Sequence, residues 1–108
     1  MSINIKKHIN KNEANRIEFL FVGFDYYDGN DLIAKLLCED HGMLYDEKVD
    51  GIHYHIIKLH KNQTQYELVW HEDVGNYIFS MQQDNFTILD LERSLQAIVN
   101  KLNKMLVE

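Results

Sequence analysis

The chain has no proline and one cysteine, and it is short of positive charge. Each shortage excludes something. Without proline, turns fall to glycine and the polar amides. With Cys38 alone, no intramolecular disulfide can form, which fits a reducing compartment. Eleven basic residues against 17 acidic ones leave a net charge of −6. Such a surface repels phosphate backbones unless a local basic patch overrides it, and the lysines are scattered. No nucleic-acid partner is therefore expected. Apolar runs are short as well. The longest, Phe19 to Phe24, suits a strand and not a membrane span. The first residues carry no apolar signal-peptide core, so a cytoplasmic location without membrane attachment is expected. GxGxxG, Walker and GxSxG signatures are missing, and no cofactor is expected.

What remains is one domain's worth of chain. Its 108 residues are 45% hydrophobic, with one Trp, six Tyr and five Phe. That composition can bury a single core and argues against disorder. Residues 1–15 are polar and rich in lysine and asparagine, and are expected to be loosely ordered. Residues 16–108 are expected to form one α+β domain.

The strongest local signal is C-terminal. From Thr87 to Val107, apolar residues recur at Ile88, Leu91, Leu95, Ile98, Leu102 and Met105. Those spacings make one helical stripe, widened by Leu89, Val99 and Leu106. Thr87 is read as its cap, with Asp90 three residues on. Upstream, Arg16–Asp25 reads as a first strand apolar on both faces. Asp28-Gly29-Asn30 is a turn, after which Asn30 or Asp31 caps a short helix ended by Gly42. Met43–Val49 reads as a short strand before the Asp50-Gly51 turn.

Ile52–His60 and Gln65–Glu72 are clearer strands. A two-residue turn at Asn62-Gln63 sets Lys58 opposite Glu67, Ile56 opposite Val69 and Tyr54 opposite His71. On the other face it sets Leu59 opposite Tyr66, Ile57 opposite Leu68 and His55 opposite Trp70. Gly75-Asn76 is read as the next hairpin turn. That reading sends Phe79 and Met81 to the inner face, and Ile78 and Ser80 to the outer one. The expected fold is thus an antiparallel sheet of four to five strands, a short helix after the first strand, and a long C-terminal amphipathic helix packed on one face. An apolar strip of Tyr54, Ile56, Val69 and Ile78 would lie on the outer face. Residues 1–15, the first helix or a second subunit could cover it, the last making a homodimer.

Three chemistries suggest themselves. His53 and His55, two apart, have His-x-His ligand spacing, and Glu72 falls opposite His53 as a third metal ligand. A histidine-based or metal-dependent enzyme on these three is one alternative; histidines packed at the end of a sheet are the plainer one. Cys38 and His41 could pair, but Cys38 sits near a helix C-terminus beside Glu39 and Asp40, which oppose a thiolate. The loop Asp25, Tyr26, Tyr27, Asp28, with Asp31 beyond it, combines acids and tyrosines. It fails calcium-loop spacing, since Tyr27 and Gly29 fall where oxygen ligands belong. Tyrosines flanked by acids suit a protein-contact surface.

The order of helix, strands and helix resembles the αβββα double-stranded-RNA module. However, Thr87-Ile88-Leu89-Asp90-Leu91-Glu92 lacks the basic phosphate contacts that module uses. The expectation is a small acidic, non-catalytic binding or regulatory protein with a basic protein partner. Toxin-immunity proteins are often of that general type. A structural homo-oligomer is a further alternative.

Overall fold

The structure, a computed structural model, describes residues 2–106. The expected helix end at Val107 lies outside them. The elements run β1 (Asn4–Asn10), β2 (Arg16–Val22), α1 (Gly29–His41), β3 (Leu44–Asp50), β4 (Tyr54–Lys61), β5 (Thr64–His71), β6 (Gly75–Ser80) and α2 (Asn85–Met105), with a 3-10 turn at Lys11–Glu13. All six strands join one antiparallel sheet in the order β1-β2-β6-β5-β4-β3. Both helices lie on one face. α2 packs over β1, β2 and β6, and α1 over β3, β4 and β5. Among the described residues no helix is long and apolar enough to cross a membrane.

The inner layer is built by strand alternation. Phe19 and Phe21 of β2, Ile57 and Leu59 of β4, Tyr66 and Leu68 of β5 and Ile78 of β6 are all buried. α1 meets them with Ile33, Ala34, Leu36 and Leu37. α2 meets them with Ile88, Leu91, Leu95, Ile98, Val99 and Leu102. The α2 stripe is narrower than its sequence suggests, because Leu89, Met105 and Leu106 are exposed. The β4–β5 register agrees with the expected pairing at every position named above.

Four expectations need correction. Residues 1–15 carry β1, a sixth strand along β2, with Ile3 buried in the core. The helix after the first expected strand is therefore α1 after β2, and it spans 13 residues. Its first turn begins at Gly29 behind Asp28, and Asn30 is turned inward rather than capping. α2 begins at Asn85, capped by the Asp84 side chain; Thr87 is the donor to that cap.

The fourth correction is the β5–β6 register. The turn is Glu72–Val74, and Gly75 and Asn76 already pair with His71 and Trp70. Gly75 adopts φ +92°, the left-handed residue that closes a three-residue hairpin loop. The shift is an odd number of residues, so every β6 side chain changes face. Ile78 and Ser80 point inward, while Phe79 and Met81 belong to the outer face.

Among the described residues no helix covers that outer face. A row of Leu20, Tyr77, Val69, Ile56 and Val49 crosses it from β2 to β3. A second row, His8, Glu18, Phe79, Glu67, Lys58 and Glu47, runs beside it. β1 extends the sheet instead of folding over it, and α1 packs on the opposite side.

Candidate functional site

Antiparallel order brings three connections to one end of the sheet: the β2–α1 loop, the β3–β4 turn and the β5–β6 turn. Asp25, Asp28, Asp31, Asp50, Glu72 and Asp73 gather there. So do Tyr26 and Tyr27, 61% and 49% exposed, and Ile52, 90% exposed. All five residues expected to contact a partner, Asp25, Tyr26, Tyr27, Asp28 and Asp31, lie at this end.

The β2–α1 loop is held by its backbone. Asn76 Nδ2 donates to Phe24 O at 2.9 Å and to Tyr26 O at 3.0 Å. Trp70 Nε1 donates to Asp25 O at 2.9 Å. Three successive carbonyls are thus pinned to β5 and β6. Phe24 is buried beneath them, and the side chains of Asp25, Tyr26, Tyr27 and Asp28 are left outside. Gly75 enforces the approach, since a Cβ there would lie 2.6 Å from the Asp25 carboxylate. Asn30 supports Asn76 from below, donating to Asn76 Oδ1 at 3.4 Å and to Leu68 O at 3.5 Å.

Next to the loop, Tyr27 stands edge-on to His55 (4.4 Å between centroids) and to Trp70 (5.3 Å). The Lys48 ammonium bonds Asp31 at 3.2 Å and lies 5.9 Å from the Tyr27 ring centre. Burial works against the charge on Lys48, but the Asp31 hydrogen bond and the charges of Asp31 and Asp50 outweigh it. Its pKa is raised above the ordinary lysine value. A lysine so held neutralises one carboxylate of the group and fixes Tyr27.

The three residues expected as metal ligands do not converge. β4 begins at Tyr54, and His53 just before it falls opposite Glu72 as expected, the Glu72 N–H donating to His53 O at 3.0 Å, but His53 is exposed while His55 is buried. His53 Nδ1 meets Glu72 Oε2 at 3.0 Å. His55 is buried on the inner face opposite Trp70, with its Nδ1 on Asp50 Oδ1. Among the described residues no three His, Cys, Asp or Glu side chains come together to hold a metal. Cys38 is half-buried in the last turns of α1; burial, then the Glu39 charge, pushes its thiol pKa up. That opposes a nucleophilic thiolate.

Sequence reasoning found the acids and tyrosines but missed Asn76, Trp70 and Lys48, which position them. Asn76 reads as a turn residue, and only its burial next to the loop shows its role. Comparison with protein families, with curated proteins and with solved structures returns no match.

Proposed function

We propose that this chain is a non-catalytic binding domain of the cytosol that takes a basic protein partner at the acidic end of its sheet. The pinned loop is the observation that carries the reading. Ordering a contact loop before binding removes part of the entropic cost of association. Here Asn76 and Trp70 order the backbone while the acidic and tyrosyl side chains face out. Carboxylates around exposed tyrosines would steer a cationic surface inward and then bury the rings. A neutralising, immunity-protein-like role would use such a surface.

The test is affinity capture from native cytosol, followed by titration of the purified partner against wild type and Asp25→Lys/Asp28→Lys. The reading expects a basic partner whose affinity falls steeply with salt, and a charge-reversed variant that loses it. Unchanged affinity and salt dependence in that variant would refute it.

A second reading is a homodimer through the outer sheet face. The row Leu20–Tyr77–Val69–Ile56–Val49, partly exposed apart from the buried Val69 and with neither β1 nor α1 packed over it, favours it. Sedimentation of wild type and Ile56→Lys over a range of concentrations tests it. The enzyme alternative on His53, His55 and Glu72 gains no comparable support.

A further inference from the structure

At the acidic end, the β2–α1 loop and the first turn of α1 enclose a hollow of about 300 Å³, lined by Phe24, Tyr26, Asp28, Gly29 and Leu32. Its walls are aromatic, aliphatic or bare backbone except at Asp28. The hollow is built before any partner arrives. Phe24 is buried, and its ring meets that of Tyr26 edge-on at 5.6 Å between centroids. Tyr26 O accepts from Asn76 Nδ2 at 3.0 Å and from Gly29 N at 3.0 Å, which fixes the backbone of that wall. Gly29 is required beside it, since a Cβ there would lie 2.6 Å from the Phe24 ring. Leu32, half-buried one turn into α1, completes the lining.

Asp28 is the unusual member. It stands directly before the first turn of α1, where an aspartate side chain ordinarily caps the helix. It makes no capping hydrogen bond. Among the described residues neither Asp25 nor Asp28 has an ion pair, whereas Asp31 is spent on Lys48. The rim of an apolar hollow thus carries carboxylate that no cation of the chain neutralises.

Volume and charge together describe the occupant. Pockets that enclose a small ligand run from about 300 to 1,000 Å³ and bury most of it. This one is at the lower limit, and its Tyr26 wall is 61% exposed, so it fits one side chain of a docked segment. Apolar anchors seated in such pockets carry much of the binding energy at interfaces. We propose that the partner docks here through one apolar side chain, aromatic or leucine-sized, seated against Phe24, Tyr26 and Leu32, with a lysine or arginine next to it paired to Asp28. The inference rests on the basic-partner reading above and names what that partner presents.

The probe is the peptide acetyl-Lys-Phe-Lys-amide, titrated into the isotope-labelled full chain and followed by amide resonances. Its counterparts are Lys-Ala-Lys and Glu-Phe-Glu with the same ends. The Lys-Phe-Lys peptide should saturably shift the signals of Tyr26, Asp28, Gly29 and Leu32. Loss of the ring should weaken binding about ten- to a hundredfold, as burial of a phenylalanine implies. Asp28→Asn should weaken it about two- to fivefold, the worth of one exposed ion pair. Tyr26→Ala, at an exposed position, should weaken it at least about fivefold while the fold is kept. If the alanine peptide binds as tightly as the phenylalanine one, the hollow takes no anchor and the proposal falls, while the basic-partner reading stands. If the glutamate peptide binds as tightly as the lysine one, the basic flank is wrong, and that reading loses its support at this loop as well. No saturable shift at those four amides, or wild-type affinity in either variant, would overturn the proposal. So would the same shifts on raising the protein concentration alone, which would give the hollow to a second copy.

Discussion

Asn76 reaches back along the chain to hold both carbonyls that flank Asp25, those of Phe24 and Tyr26. Asn76 is buried, so removing its amide leaves Phe24 O without that donor in a buried site. Asn76→Ala is expected to cost about 2–3 kcal/mol in urea unfolding, from two hydrogen bonds lost and a buried acceptor exposed as unpaired. The amide protons of residues 24–28 should also exchange faster than those of the remaining sheet. Stability loss without faster exchange in the loop would show that Asn76 does not pin it.

The route from sequence to this site was open for part of the way. The α2 stripe and the β4–β5 register could be read because periodicity and alternating chemistry agree over many residues. Asn62, at φ +56°, makes the tight turn that its neighbours imply. β1 was hidden because an edge strand buries little. Only Ile3 and Ile5 reach the core, while Lys6, Lys7 and His8 face water. The β6 register is not legible locally, because Gly-Asn is a hairpin dipeptide by composition. In the fold the glycine closes a longer loop and the asparagine is spent on the β2–α1 carbonyls. The acids and tyrosines of the loop were visible locally. Their anchors were not, since Trp70 and Asn76 lie 45 to 52 residues from the carbonyls they hold.

β3 should be the first strand to open. Its residues are mostly exposed, and a bulge at Tyr45/Glu47 interrupts its ladder with β4. Side-chain contacts help hold it: ion pairs of Glu47 with Lys58 at 3.6 Å and of Lys48 with Asp31 at 3.2 Å, and hydrogen bonds of His60 with Asp46 at 2.7 Å and of His55 with Asp50. Exposed pairs are worth about 0–1 kcal/mol each and weaken with salt. Hydrogen exchange should therefore be faster at the β3–β4 ladder than at β4–β5, and added salt should widen the difference. Equal protection of the two ladders at high salt would contradict this.

Stability should fall at both ends of the pH scale, for different reasons. The Tyr66 pKa is raised by burial and by Asp90 and Asp84; that of Tyr77 by burial and by Glu18. A raised phenol pKa means the folded state keeps a proton that the unfolded chain has lost. Its contribution is complete below the unfolded value of about 10 and disappears as pH rises through the folded one. The Asp84 pKa is lowered by hydrogen bonds from the Thr87 hydroxyl and backbone N–H. Its contribution holds above the ordinary carboxyl value and is lost as pH falls through the folded one. Thermal midpoints across pH should show both limbs. Tyr66→Phe/Tyr77→Phe should flatten the alkaline limb, and Asp84→Ala the acid limb, each leaving the other limb unchanged.

Two leucines on α2 separate the helix face from its sequence pattern. Leu95 is 0% exposed and Leu89 is 51% exposed, although both belong to the apolar stripe as read from sequence. Leu95 lies wholly inside the core cluster, and truncating it opens a cavity that close-packed neighbours fill only in part. Leu95→Ala should cost about 2–5 kcal/mol in chemical denaturation. Leu89→Ala should stay within about 0.5 kcal/mol of wild type, since alanine is the better helix former and little area is lost. Leu95→Asp, which buries an unpaired charge, should abolish the cooperative transition. If Leu89→Ala proved as costly as Leu95→Ala, α2 would have to be rotated on the sheet. Phe19 and Ile78, on the strands beneath α2, would then need a different cover.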